Sequence, residues 1–370
     1  MSLINFPIVD PHIHQWDPYH TPHRAALLVR LLGKDPQLMD QVARKAMAKP
    51  LVNSLGLTDY ALAPYLPADY AADLDNAGLA GDQLSDQQQS GYQVEQVVHI
   101  EASWHDHKGT GVVGETRWVK QLPFEQHGIR LGGIVATAEF SDHRFKKILE
   151  LHQAQTPLLC GLRRMASHHP DWGVHQWSDE AHLYTSRKFL TGFEQFAKTG
   201  LSFDAWVYSS QIPDVTQLGR RFPETPIVLD HLATPVGLFG PVGNHTGVTH
   251  AARQDIFARW QDDIAQLAEQ PNVYAKISGL MMPVLGHAFY KNRELASASQ
   301  MVDLLSPLIE HAIAVFGVER IIYASNFPMD KVNTSLSNLM EAYARMIQPY
   351  GDAAMHAIFR DNAKRFYRLD

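Results

Sequence analysis

With 370 residues, 45% hydrophobic and 19% charged, the chain has the apolar content for a large core and a length that an α/β barrel fills as one domain. A net charge of -7, with Lys and Arg scattered singly, leaves no electrostatic basis for binding nucleic acid or an anionic membrane. The one cysteine, Cys160, excludes an internal disulfide framework and a Cys-rich zinc site, and its apolar setting in Pro157-Leu158-Leu159-Cys160-Gly161-Leu162 predicts a structural thiol rather than a nucleophile.

Short β-rich runs recur along the chain: Ile8 to Asp10, Val94 to Glu101, Leu131 to Ala138, Leu158 to Arg163, Leu201 to Val207, Pro226 to Asp230, Val273 to Ser278 and Arg320 to Ala324. Between several of them lie stretches with apolar residues at three- and four-residue spacing, at Phe145 to Ala154, Phe189 to Thr199, Ile256 to Gln270 and Met301 to Phe316. Strand and helix alternating in this way predict parallel strands joined by helical crossovers, and eight of them close into a distorted TIM (β/α)8 barrel. Residues 1–370 are expected to form this single domain. Residues 19–93 form a long insertion after the first strand, with a helical pattern from Ala25 to Met47 and a polar tail at Ser85-Asp86-Gln87-Gln88-Gln89. Loops that follow barrel strands lie on the catalytic face, so the insertion either walls the site or is a peripheral ornament. The Gly- and Pro-rich run from Pro235 to Gly243 is expected to be an ordered active-site loop. No basic segment followed by an apolar core opens the chain, and no apolar run is long enough to span a bilayer. A cytoplasmic protein with a small-molecule substrate is expected, with a homo-oligomer open.

Chemistry-bearing residues close these runs. His12 and His14 follow the first strand one residue apart, the spacing that puts two imidazoles on one face. His99 and Glu101 end the second strand, and alternation places them together. Trp104 follows in Ser103-Trp104-His105-Asp106-His107 and is a candidate pocket residue. Arg163 closes the fourth strand and suits a substrate carboxylate, while Arg164 is expected in a surface ion pair. Lys276, on the seventh strand, is expected to pair with Asp204 or Asp230. His231 ends the sixth strand beside the Gly- and Pro-rich run, and Asn326 and Asp330 follow the eighth.

The opening Val-Asp-Pro-His-Ile-His, Asp204-Ala205-Trp206-Val207, Leu229-Asp230-His231, Lys276-Ile277-Ser278-Gly279-Leu280 and Ser325-Asn326-Phe327-Pro328-Met329-Asp330 together resemble the amidohydrolase superfamily. Within it, the chain looks like the lactonases acting on 2-pyrone-4,6-dicarboxylate and on sugar acids. The resemblance implies an active site at the C-terminal ends of the strands. It also implies hydrolysis of a small carboxylated or polyhydroxylated lactone by water attack on a polarised carbonyl. His12, His14 and His231 would polarise that carbonyl, either directly or through one divalent metal, Zn or Mn, and a metal-independent enzyme is equally compatible. Asp204 replaces a histidine common in the superfamily's full metal sites, so at most one ion is expected. Asn326 stands where the superfamily usually carries the aspartate that activates water, and an amide does not accept a proton at ordinary pH. The base is then Asp330, Glu101 or a histidine. Alternatives are a lyase or isomerase acting on a related acid, or a catalytically inactive ligand-binding barrel.

Overall fold

A computed structural model of the chain describes residues 3–21, 29, 35–75 and 92–370. Eight parallel strands pair in chain order: β1 (Ile8–Ile13), β2 (Val94–Ile100), β3 (Arg130–Thr137), β4 (Leu159–Met165), β5 (Ser202–Trp206), β6 (Ile227–Leu229), β7 (Val273–Ile277) and β8 (Ile321–Tyr323). The sheet is a TIM barrel. Its last seam, between β8 and β1, is stitched only at the C-terminal end, where Asn326 N donates to His12 O at 2.9 Å and His14 N donates to Phe327 O at 2.9 Å. The two segments that carry the expected site are therefore hydrogen-bonded to each other.

All eight expected strands are present. The first runs three residues further than its apolar pattern, through Pro11 to Ile13, and its pairing with β2 shifts register between Asp10 and Ile13. Proline donates no ladder hydrogen bond, and a register shift is where a strand tolerates one.

Inside the barrel, Val9, Val98, Ile100, Val135, Val228 and Ile322 meet Ala363, Phe366 and Tyr367 of the C-terminal helix. Side chains from five strands touch one another only in a barrel interior, so this helix plugs the end opposite the site.

The outer layer follows the expected helical periodicity. Phe145–Gln155 buries Phe145, Ile148, Leu149 and His152, the i, i+3, i+4, i+7 stripe of a surface helix. Ala298–Phe316 opens with a capping box in which Ser297 accepts from Gln300 N and the Gln300 side chain accepts from Ser297 N. Among the described residues, no helix is long and apolar enough to cross a membrane.

Among its described residues the insertion carries the helices α1 (Pro36–Ala46), α2 (Lys49–Leu55), α3 (Asp59–Leu62) and α4 (Pro67–Asp75). The predicted helical pattern from Ala25 overlaps α1 and otherwise falls largely outside the described residues, as does the polar run at 85–89. Met47, Leu51, Leu55 and Leu62 face the cavity above the strand ends, so this segment walls the site.

The run from Pro235 to Gly243 is ordered but does not line that cavity among the described residues. It packs sideways on the loop after β7, where Phe239 N donates to Leu285 O at 2.8 Å and Phe239 stacks on His287. Its backbone needs are met by the neighbouring loop rather than by a ligand, which corrects the expectation of an active-site loop.

Candidate active site

Strand alternation turns Asp204 of β5 and Lys276 of β7 into the barrel, and Asp230 leaves β6 pointing the same way. Lys276 Nζ lies 2.6 Å from Asp204 Oδ2, 3.2 Å from Asp230 Oδ1 and 3.1 Å from His12 Nδ1, with all four side chains sealed from solvent. From the plug helix, the Tyr367 hydroxyl donates to Asp204 Oδ2 at 2.6 Å, and its ring lies 5.2 Å from the ammonium. Burial pushes Asp204 above the usual carboxylate range. Burial pushes Asp230 the same way, but the Lys276 charge and His12 outweigh it and hold Asp230 well below that range. Burial, and then Lys276, keep His12 neutral.

Glu101 does not stay in alternation with His99. β2 ends at Ile100, and Glu101 turns over the barrel mouth, where it receives Arg163 Nε at 2.9 Å and Nη2 at 2.8 Å. Arg163 also donates through Nη2 to Glu101 O at 2.9 Å, and its Nη1 faces His12 Nε2 at 3.4 Å and Asp230 Oδ2 at 3.8 Å. The guanidinium is therefore committed to the protein, not held open for a substrate carboxylate. His99 points away from the cavity, with Nε2 3.3 Å from Glu115 Oε1 on the helix Val113–Val119. Val98 and Ile100 take the interior positions, so His99 is a structural link rather than a substrate contact.

His14, Asn326 and Asp330 form a chain. Burial, and then the nearby Arg163 charge, hold His14 neutral, and its Nδ1 lies 2.9 Å from Ile100 O. A carbonyl only accepts, so the proton sits on Nδ1 and Nε2 is bare. The Asn326 amide stands between His14 Nε2 and Asp330 Oδ1, 3.3 Å from each. As placed, Asn326 Nδ2 faces Asp330 and Oδ1 faces His14; because a bare nitrogen needs a donor, the hydrogen bonding calls for the amide turned over, NH2 to His14 and oxygen to Asp330. That oxygen in turn requires a protonated carboxyl, and burial pushes Asp330 up to about 8. Asp330 is then a neutral donor at neutral pH. Beneath this chain, Asp10 accepts from Ser325 N at 2.9 Å and from the Tyr70 hydroxyl at 2.7 Å, tying β1, the β8 end and α4 together.

His231 opens four consecutive non-glycine residues with left-handed backbone, at φ values of 57, 47, 60 and 40° for His231, Leu232, Ala233 and Thr234. Such a run costs roughly 1–2 kcal/mol per residue. Two buried indoles hold it in place: Trp260 Nε1 donates to Leu232 O at 2.8 Å, and Trp206 Nε1 donates to Thr234 Oγ1 at 2.9 Å. The result aims the His231 ring at His12, 4.6 Å between centroids, with Nδ1 2.9 Å from Ser278 Oγ. Burial lowers its pKa to about 3, so the ring is neutral at neutral pH, and Nε2 is its bare nitrogen in the tautomer whose Nδ1 donates to Ser278 Oγ.

Gly279, at φ 63°, leaves room for that ring, because a Cβ there would stand 2.5 Å from His231 Cγ and Nδ1. Gly279→Ala is expected to lower stability by about 1–3 kcal/mol, the usual cost of overpacking, and to reduce turnover at least tenfold by rotating His231. Thermal unfolding with steady-state rates checks this, and an alanine variant unchanged in both refutes the packing role.

These residues sit beneath a cavity of about 850 Å³. Of the predicted site residues, His14, Glu101, Trp104, Arg163, His231 and Asn326 line it; among the described residues, His12, His99 and Asp330 do not. His12 lies one layer below, between two cations, and Asp330 lies behind Asn326. Arg164 forms its expected ion pair, with Nη2 3.0 Å from Glu139 Oε2, on the cavity rim.

Among the described residues, the donor atoms that gather closely enough for an ion are those of His12, Asp230 and His231, all within 4.8 Å of one another, rather than the three histidines. Two neutral imidazoles and an ionised carboxylate are the protonation states a divalent ion requires, so the set fits one such ion. Lys276 Nζ, however, stands beside both His12 Nδ1 and Asp230 Oδ1. Asp230 was legible only as an ion-pair partner, although its place beside His231 in a strand-ending Asp-His pair is the signal that finds it.

The comparisons agree with this architecture. The chain is 29% identical to the y4mH protein of Sinorhizobium fredii over 98% of both sequences. It is 26% identical to an L-fucono-1,5-lactonase of Burkholderia ambifaria, over 59% of this chain and 64% of that one. An amidohydrolase of Burkholderia multivorans crystallised with bound zinc superposes with a TM-score of 0.68 at 19% identity, covering 99% of this chain and all of that one. The Amidohydrolase family profile matches residues 9–369, and the chain belongs to that family.

Proposed function

We propose that the protein hydrolyses the ring ester of a small lactone, with His231 taking the proton from the attacking water. The observation that carries this reading is the convergence of His14, His231 and Asn326 on one cavity floor, in a family whose L-fucono-1,5-lactonase relative acts on such a ring. His231 is a neutral imidazole on the cavity floor, whereas Glu101 is held in the Arg163 fork and Asp330 is a buried neutral acid. His14, locked by Ile100 O and the Asn326 amide, orients the reacting group.

One divalent ion, Zn or Mn, would be held by His12, Asp230 and His231 and would supply Lewis-acid polarisation of the carbonyl. A ligating His231 has no lone pair left for a proton. The position of Lys276 favours the metal-free assignment of the base.

The test is proton release recorded at constant pH over a panel of lactones: hydrolysis yields one acid per ring opened, and silence across the panel refutes the reading. Asp330→Asn separates the candidate bases. Because Asp330 is not the base here, this variant is expected to keep turnover within about tenfold of wild type, against the loss of two to four orders of magnitude typical of a removed base. Its stability carries a second signature. Asp330 has a folded pKa near 8, above its unfolded value, so its contribution is complete below the unfolded pKa and is lost as pH rises through about 8. The asparagine variant lacks that loss, and its melting temperature relative to wild type is expected to rise between pH 5 and pH 9.

A further inference from the structure

We propose that the natural substrate is a neutral lactone carrying an aromatic or comparably bulky apolar substituent, rather than a sugar lactone or a dicarboxylate. This rests on the hydrolytic reading above and adds the substrate class. The cavity, at about 850 Å³, is several times larger than a single lactone ring. Above the histidines, its wall is built from the indoles of Trp16, Trp104, Trp177 and Trp206 and from thioethers and aliphatic chains that include Met47 and Leu51 of the insertion. Trp177 and Trp206 lie 5.3 Å apart, ring to ring. Trp16 Nε1 donates to Ala63 O at 2.8 Å, and Trp206 Nε1 is spent on Thr234. These two rings offer a ligand only their faces, the surface on which another aromatic ring packs.

Three of the wall's larger polar side chains, Arg163, Arg164 and Gln176, are committed to the protein. Arg163 is held by Glu101, and Arg164 by Glu139 and by Met165 O at 2.7 Å. Gln176 donates to His169 O and Val174 O and accepts from His169 N at 2.7 Å. A polyhydroxylated ring would bury hydroxyls beside groups that are already satisfied, which costs roughly 1–3 kcal/mol for each one left unpaired. A carboxylated substrate fares no better. Each arginine of the wall has a carboxylate partner, and Asp179 adds a further negative charge, so among the described lining residues the carboxylates Glu101, Glu139 and Asp179 outnumber the cations Arg163 and Arg164.

The experiment compares three δ-lactones that share a ring: one phenyl-substituted, one polyhydroxylated and one carboxylated. Specificity constants come from proton release, and binding of the matching lactams, which do not hydrolyse, is followed by tryptophan fluorescence. The phenyl compound is expected to exceed both others by roughly a hundredfold in kcat/KM, the scale on which a shaped apolar pocket discriminates. Its lactam is expected to bind correspondingly tighter. Trp177→Ala and Leu51→Glu, both at half-buried positions, are expected to weaken the phenyl lactam at least tenfold with little change for the hydroxylated one.

Equal or better turnover of the hydroxylated or carboxylated lactone overturns the substrate class while leaving the hydrolase reading intact. If no lactone is opened, the hydrolase reading falls. Preferential binding of the phenyl lactam, sensitive to Trp177 and Leu51, then still supports the ligand class, and its absence overturns that as well.

Discussion

His231→Asn is expected to lower lactone turnover by two to four orders of magnitude, the loss that follows removal of a general base, while shifting the melting temperature by only a few degrees. Asparagine is chosen because it tolerates the left-handed backbone that His231 adopts at φ 57°, so the turn held by Trp206 and Trp260 survives the change. The amide retains polarity but offers no basic lone pair. A variant within tenfold of wild type removes His231 from the chemistry. His14→Ala is expected to lose turnover in the same way, through loss of the oriented imidazole. His12→Ala is expected to lose stability as well, because the imidazole it removes separates Lys276 from Arg163, 3.1 Å from one cation and 3.4 Å from the other. Lys276 and Arg163 would then be separated only by Asp230 and an empty volume. Comparing the three variants by rate and by unfolding distinguishes a ring that faces substrate from one that insulates charge.

The contrast among these histidines shows how far the sequence is legible. The eight strands are readable because period-two apolar runs bounded by turns are a local signal, and the helices because a buried stripe repeats every three to four residues. The two histidines of β1 and the one after β6 are readable because each closes such a run. What is not local is which face survives a register shift. His99 and Glu101 alternate in sequence, yet β2 stops at Ile100, so one reaches a helix and the other the barrel mouth. Pro235 to Gly243 has the composition of a functional loop, but its backbone is paired with another loop, and composition does not reveal a partner about fifty residues away. Asp330 is the clearest case. Four residues from Asn326 and rich in apparent chemistry, it is made a neutral acid by a burial to which the whole fold contributes.

Lys276 provides the second large effect, because it stands where an ion would. Donors bound 2.0–2.2 Å from a tetrahedral zinc lie about 3.4 Å apart, and His12 Nδ1 and Asp230 Oδ1 are 3.4 Å apart in this chain. The ammonium already faces both atoms, at 3.1 and 3.2 Å, and supplies the positive charge that keeps Asp230 ionised. Lys276→Met removes the cation and leaves Asp204 and Asp230 buried together, a loss of about 3–5 kcal/mol where one partner of a sealed ion pair is deleted. Lys276→Gln, which keeps a donor toward Asp204, is expected to lose less. In both variants the pair of donors is free, so zinc or manganese is expected to bind at least tenfold more tightly than to wild type. Bound ion should restore melting temperature with the logarithm of one plus its concentration over its dissociation constant. Calorimetric titration of metal into the metal-free proteins, with unfolding measured with and without added ion, reads both effects without reference to activity. If wild type binds a stoichiometric ion as tightly as the variants, Lys276 does not compete for the site. The metal-free assignment of the base to His231 would then lose its support, because the same imidazole would already be a ligand.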